Sequence, residues 1–346
     1  MTRYDLALEV MRDATTFTVQ DPRFSTGQVI GPSMLSLDGP EHDRHRAPFA
    51  PPFRPGAVRE RFEHPVAAEV DRLLDGLRPA GRAELRREFA GPLAAATVTR
   101  ALGLADEQVE AVLGWYDAIV AAVNEITAGR GLPAEGTAAF GELEAALAGV
   151  IEPAGDSSLL AAAAGGSTLT HEQLVSDAAV LLFGGTETTE GMICNALLEL
   201  LERPPALAEV MHDPSLVDAA VEESLRREPA AAVVDRYATA EAELGGTAIA
   251  PGDLVRVSIA AANRDPAAFA DPDAFDLRRP GGRGHLAFAQ GPHVCLGVHL
   301  ARLEARTALR ALLERLPRLQ LDPDRPSRIR GLVFRKPPEL NVVWDA

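Results

Sequence analysis

One stretch constrains this chain more than any other: from about His171 to Arg203 it reads as one long helix. Thr170 and Gln173 form a capping-box pattern at its start, and Pro204-Pro205 stops it. Leu174, Ala178, Leu181, Leu182, Met192, Ala196, Leu200 and Leu201 keep roughly helical spacing, as in a helix that crosses a core. At ~1.5 Å per residue such a helix spans roughly 50 Å, the width of a whole globular enzyme. Yet Gly184-Gly185 sits in its middle, where each glycine costs about 1 kcal/mol relative to alanine. Something must compensate for that weakness.

Composition narrows what the helix belongs to. The 346 residues carry 34 Lys+Arg against 50 Asp+Glu, a net charge of −16, which argues against a general binder of nucleic acid or anionic membrane. With 47% hydrophobic and 24% charged residues, the chain is a globular one and not a disordered one. Lys336 alone in the Lys+Arg set is a lysine, a bias that fits GC-rich coding and says nothing about function. Two cysteines, Cys194 and Cys295, cannot build a disulfide framework, so a reducing cytoplasm is expected. No basic-then-apolar leader occupies Met1 to Val10, and apolar runs such as Ala178 to Phe183 are too short to cross a bilayer. A soluble protein is expected.

No repeat or linker divides the chain, so residues 1–346 are read as a single domain. Residues 57 to 203 read as mostly helical, with loops at Arg78–Gly81 and Gly129–Gly136. A shorter helix, about Ser215 to Arg227, ends before Pro229. Leu244 to Ile259 reads as a hairpin around Pro251-Gly252, and a last helix runs from about Leu296 to Leu316. The expected fold class is mostly α with a small antiparallel β region.

The strongest local signal is Phe288-Ala289-Gln290-Gly291-Pro292-His293-Val294-Cys295-Leu296-Gly297. It is a glycine-turned loop that delivers one cysteine to the N-terminus of a helix. Backbone N–H groups and the helix dipole there favour a thiolate, which is a metal ligand or a nucleophile. A buried structural cysteine is the ordinary alternative, and Cys194, mid-helix without polar escort, keeps that reading.

The decapeptide resembles the heme-binding loop of the cytochrome P450 family, in which the cysteine is the axial ligand of heme iron. Other segments agree in order. Gly184-Gly185-Thr186-Glu187-Thr188-Thr189 resembles the family's A/G-G-x-D/E-T-T, with glycines where a flat macrocycle and O2 approach and where helix hydrogen bonding can break locally. Glu223-Ser224-Leu225-Arg226 matches E-x-x-R, a structural pair one helical turn apart. Gly39-Pro40-Glu41-His42-Asp43-Arg44-His45-Arg46 resembles P-E-H-x-x-x-R. Gly282-Arg283-Gly284-His285-Leu286-Ala287 fits a loose dinucleotide fingerprint, but neither the strand nor the helix that fingerprint needs flanks it.

The resemblance implies a set of roles. Cys295 would bind the iron of heme b (iron protoporphyrin IX). His42, Arg46, Arg236 and His293 would meet its propionates, with Phe288 and Gly297 completing the loop. Glu187 and Thr188 would pass protons to oxygen, and Glu223 and Arg226 would brace the fold. It implies a monooxygenase that takes O2, a small lipophilic or secondary-metabolite substrate, and electrons from an external ferredoxin and its NAD(P)H reductase. That partner would dock on arginines such as Arg302 and Arg306. A monomer is expected. A peroxide-driven or coupling enzyme and a non-catalytic heme sensor remain alternatives, and Glu187-Thr188 argues against the sensor.

Departures from the pattern accompany these matches. Ala289 stands where glycine is usual, and Gly184 where alanine is commoner. The family's first helix and first strands look absent, and the stretch between Phe24 and His42 is short. Ala118 to Thr168, expected to roof the substrate cavity, looks compact, which suggests an open pocket or a partner that completes it. Ala231–Val234 and the Lys336–Pro338 turn are the expected pocket walls.

Overall fold

The computed structural model describes residues 1–127, 129–151, 158–280 and 284–346. The chain opens with α1 (Tyr4–Arg12), β1 (Phe17–Thr18), α2 (Ser25–Ile30) and α3 (Gly39–Arg46). Next come α4 (Pro55–Leu77), β2 (Arg82–Glu84), a π-helical turn at Arg86–Ala90, and α5 (Gly91–Leu102). Three helices, α6 (Val109–Thr127), α7 (Ala134–Ile151) and α8 (Leu159–Gly165), lead to the long α9 (His171–Leu201). Beyond it lie α10 (Pro204–His212), α11 (Val217–Arg227), β3 (Val233–Ala238), β4 (Ala242–Leu244), β5 (Thr247–Ile249), β6 (Leu254–Ser258) and α12 (Ile259–Ala262). Finally α13 (Val298–Arg315), β7 (Gln320–Leu321) and β8 (Asn341–Val343) complete a mostly helical fold with small antiparallel sheets.

The start of α9 is where the capping box puts it. Thr170 Oγ1 accepts the Gln173 N–H at 3.3 Å, and Gln173 Oε1 accepts the Thr170 N–H at 3.0 Å, satisfying two otherwise orphaned donors. The helix ends at Leu201, two residues before the expected limit, because Pro204 opens α10. Gly184-Gly185 does not interrupt it: the helix is continuous from His171 to Leu201, contrary to the local break expected there.

Two apolar clusters make up most of the core, and α9 threads both. Leu174 to Phe183 pack with α2, α5, α6, α7 and α8, whereas Met192 to Leu200 pack with α4, α11 and α13. Ile193, Leu197 and Leu309 are fully or almost fully sealed, each burial contributing on the order of 2 kcal/mol. Leu181 and Leu296 touch both clusters and so mark the seam between them. A third cluster joins α1 to β1, β3, β6 and α12.

The β region differs from its expected pairing. Leu244 to Ile259 does not form one hairpin. β4 and β5 pair through Gly245-Gly246, whose φ values of 55° and 83° suit a tight turn that glycine adopts at no steric cost. β6 pairs instead with β3, Val234 opposite Val257, and β1 adds to the other edge of β3. β2, β8 and β7 form another small antiparallel sheet.

Among the described residues no helix is long and apolar enough to cross a membrane. The compact stretch Ala118–Thr168 folds into α6 to α8, apart from residues 128 and 152–157, which lie outside the described residues. Gly282-Arg283 of the fingerprint-like run lies outside them too.

Candidate active site

From Asp177 to Leu200, α9 is buried at every residue except Leu181, Gly184, Gly185 and Thr188. Their spacing of three, four and seven puts them on one face. A helix sheathed in apolar side chains thus carries one open stripe at mid-length. A Cβ added at Gly184 would meet nothing within 4 Å, while one at Gly185 would press on Val98 at 3.3 Å. Gly185 therefore serves helix packing, and Gly184 leaves space. The Thr188 hydroxyl donates to the Gly184 carbonyl at 2.6 Å, one turn back along the helix.

The cysteine loop reaches the same seam, because Leu296 packs against both clusters. Gly291 turns it with φ +74°, and any Cβ there would collide with the main chain of Met11 and Arg12 on α1. Ala289 is also left-handed, at φ +56°, which is the physical reason glycine is usual at this position. The Cys295 N–H donates to the Phe288 carbonyl at 2.8 Å, which fixes the cysteine just ahead of α13. Burial pushes the Cys295 thiol up, opposed by the Gly297 backbone N–H and by the charges of Arg46 and Arg302. Among the described residues no three His, Cys, Asp or Glu side chains converge into a metal cage. An iron held by Cys295 would have to bring its other ligands with it, as a porphyrin does.

His42, Arg46, Arg236 and His293 lie near one another. The rings of His42 and His293 stand 4.5 Å apart, and Arg46 Nη2 donates to the Val294 carbonyl at 2.6 Å. Asp38, which the sequence reading passed over, sits among them: it accepts from His293 Nε2 at 2.7 Å and from the Val19 N–H at 2.8 Å. His293 is therefore tied to a carboxylate of the chain itself, an arrangement its expected role did not include. Burial lowers the pKa of Arg236, with Asp38 and Asp235 opposing the shift. His42 Nε2 is buried without a partner. An orphaned donor beside two arginines, and an open stripe at Gly184, fit a flat group with an acidic edge.

Glu187 and Thr188 do not bond to each other. Glu187 Oε2 accepts from Lys336 Nζ at 2.8 Å and from the Tyr116 hydroxyl, so its carboxylate is held toward α6. Lys336, expected only as a generic wall residue, belongs to this buried cluster.

The brace is built as expected and extends further. Arg226 grips Glu223 through two hydrogen bonds of 2.8 and 2.9 Å, and donates to the carbonyls of Asn263, Pro272 and Ala274. The neighbouring Glu222 escaped the sequence reading. Burial opposes its ionisation, but His285 and Arg302 outweigh that and hold its carboxyl down to about 2. Arg302 donates to Glu222 at 2.6 and 2.8 Å and lies over the Phe288 ring, so it is tied into the structure beneath the cysteine loop. The Glu-Glu pair itself was the available signal.

Comparison with known proteins agrees with this geometry. The family model described as Cytochrome P450 matches residues 154–343. Cytochrome P450 monooxygenase PikC of Streptomyces venezuelae is 37% identical over 339 residues, covering 91% of this chain and 79% of that protein. Nocardicin C N-oxygenase of Nocardia uniformis subsp. tsuyamanensis is 37% identical over 337 residues, covering 94% and 82%. The crystal structure of P450BioI, in complex with an acyl carrier protein ligated to hexadec-9Z-enoic acid, matches with a TM-score of 0.89 at 30% identity. That match covers 100% of this chain and 92% of the other.

Proposed function

Since the chain belongs to the cytochrome P450 family of heme b monooxygenases, we propose that it oxidises a small lipophilic substrate with O2 and electrons from a separate protein. Heme b, when bound, supplies the oxygen activation and electron storage that no side chain can provide. The open stripe on α9, at the seam that the cysteine loop also reaches, is the observation that carries this reading.

In it, Cys295 would hold the iron, and the Gly297 N–H would stabilise the sulfur's negative charge. His42, Arg46 and Arg236 would receive the propionates, with Asp38 orienting His293 beside them. Gly184 would leave room at the stripe for oxygen and substrate. The Thr188 hydroxyl holds a proton at the stripe, and Glu187 is the acid that replenishes it. Ala231 and Val234 at the head of β3, with Phe334 set edge-on to Phe183, are the apolar walls we assign to the substrate. Electrons come from a ferredoxin and its NAD(P)H reductase, with Arg306 among the docking cations.

The test begins with the spectrum of the reduced, CO-bound protein and a ligand-shift screen of the ferric form. Hits are then incubated with NAD(P)H and a surrogate ferredoxin pair. Substrate-dependent product supports the assignment. A thiolate-type spectrum without turnover, across all hits, would make the protein a sensor and end it.

A further inference from the structure

We propose that Lys336 is a positioning residue for proton delivery: it holds the Glu187 carboxylate away from Thr188 inside a buried, charge-balanced cluster. This rests on the reading of Glu187 as the proton-carrying acid.

Two carboxylates, Glu187 and Glu190, sit one turn apart on α9 with side chains at most 2% exposed. Buried like charges at this spacing repel, and each needs a cation. Arg86, from the π-helical turn before α5, reaches Glu190 Oε1 at 3.2 Å. Lys336, from the segment ahead of β8, reaches both carboxylates. Its Nζ donates to Glu187 Oε2 at 2.8 Å, to the Tyr116 hydroxyl at 2.6 Å, and to Glu190 Oε2. An ammonium has three donors, and all three are committed here.

Tyr116, from α6, completes the set. Burial first, and then Glu187 and Glu190, push its phenol far up, so it stays a neutral donor to Glu187. The lysine stem lies along α9 at Gly191, where an added Cβ would sit 3.5 Å from Lys336 Cβ and 2.9 Å from Ala230 Cβ. Every other member of the Lys+Arg set of this chain is arginine. A planar guanidinium cannot aim at three acceptors converging from two helices, whereas a tetrahedral ammonium can. The residue that composition made look incidental is thus the one this cluster requires. With Lys336 in place, Glu187 is pinned toward α6, and proton transfer to the stripe on α9 waits on its release.

Because the chain has one lysine, reductive methylation with 13C-formaldehyde labels one side chain besides the amino terminus. We expect Lys336 to react at least several-fold more slowly than a lysine in a short peptide, and its methyl resonance to move in Glu187→Gln and in Tyr116→Phe. Fast labelling with an unmoved resonance would overturn the contact itself. In the heme-loaded enzyme, Lys336→Met should change product formed per NAD(P)H by roughly tenfold. Its solvent isotope effect on O2 consumption should change too, with substrate Kd within about twofold of the parent. The double variant Lys336→Met/Glu187→Gln should match Glu187→Gln alone, since one residue acts through the other. Additive losses would overturn the proposal. If Lys336→Met does not fold, Lys336→Met/Glu190→Gln restores the charge balance and takes its place. Should Glu187→Gln leave coupling unchanged, the acid's own role falls and the proposal with it, while the labelling result still stands as a report on the contact.

Discussion

His45 Nδ1 lies 2.8 Å from the Asp177 carboxylate, and both side chains are sealed from solvent where α3 meets α9. The other Asp177 oxygen accepts the Met34 N–H at 2.7 Å. Burial raises the Asp177 carboxyl to about 8, with Met34 and Arg44 pulling the other way, and burial together with Arg44 lowers His45. At neutral pH the folded pair therefore holds one proton, on the carboxyl, and keeps it up to about pH 8.

This sets a pH dependence of stability. In the unfolded chain the aspartate titrates near 3.9 and the histidine near 6.5, so that state holds one proton on the pair between about pH 3.9 and 6.5 and none above. Between about 6.5 and 8 the folded state keeps a proton that the unfolded state has lost, and stability falls as pH rises. The slope is about 1.4 kcal/mol per pH unit. Asp177→Asn should remove this contribution from denaturation curves measured across the range. An identical slope in the variant would refute the assignment.

Cys295→Ser should abolish the thiolate-type spectrum of the reduced, CO-bound protein and lower heme retention. The fold should persist, since serine keeps the backbone bond from position 295 to the Phe288 carbonyl. Far-UV circular dichroism and heme content separate the two effects. A variant that keeps the parent's spectrum removes Cys295 as the ligand.

Thr188→Ala loses the hydroxyl that donates to Gly184 but keeps a strong helix former inside α9. Product per NAD(P)H should fall several-fold while ligand-shift affinity stays close to the parent. Unchanged coupling would take Thr188 out of the proton path.

Glu223→Gln leaves the Arg226 guanidinium, fully buried, without its carboxylate. Breaking a buried pair from one side costs about 3–5 kcal/mol, and Arg279 loses the same partner. Denaturant melts should show that loss. A change below about 1 kcal/mol, the size of a surface pair, would mean the brace is decorative.

What could be read from the residues, and what could not, divides by distance along the chain. The cap of α9, the Glu223–Arg226 pair and the loop around Cys295 each lie within a few residues, so local chemistry announces them. The β6 partner does not. It is β3, chosen by the register of a sheet, while Gly245-Gly246 was a nearer turn signal than Pro251-Gly252. Asp38 meets His293 across 255 positions, and Lys336 meets Glu187 across 149. No periodicity reports such contacts. Arg302 shows the converse: a helix position that looks exposed is turned inward by Glu222 on a neighbouring helix.

Ala289→Gly should stabilise the cysteine loop. Alanine at φ +56° carries a left-handed penalty of about 1 kcal/mol that glycine does not. Slower heme loss to an acceptor such as apomyoglobin would show it, and faster loss would count against it.

Gly291 rests on the main chain of Met11, almost the full length of the polypeptide away. A ribosome releases the prop first and the loop it supports among the last segments. The turn that carries the cysteine thus closes against a helix made long before it, and its shape depends on a contact that no neighbouring residue can supply.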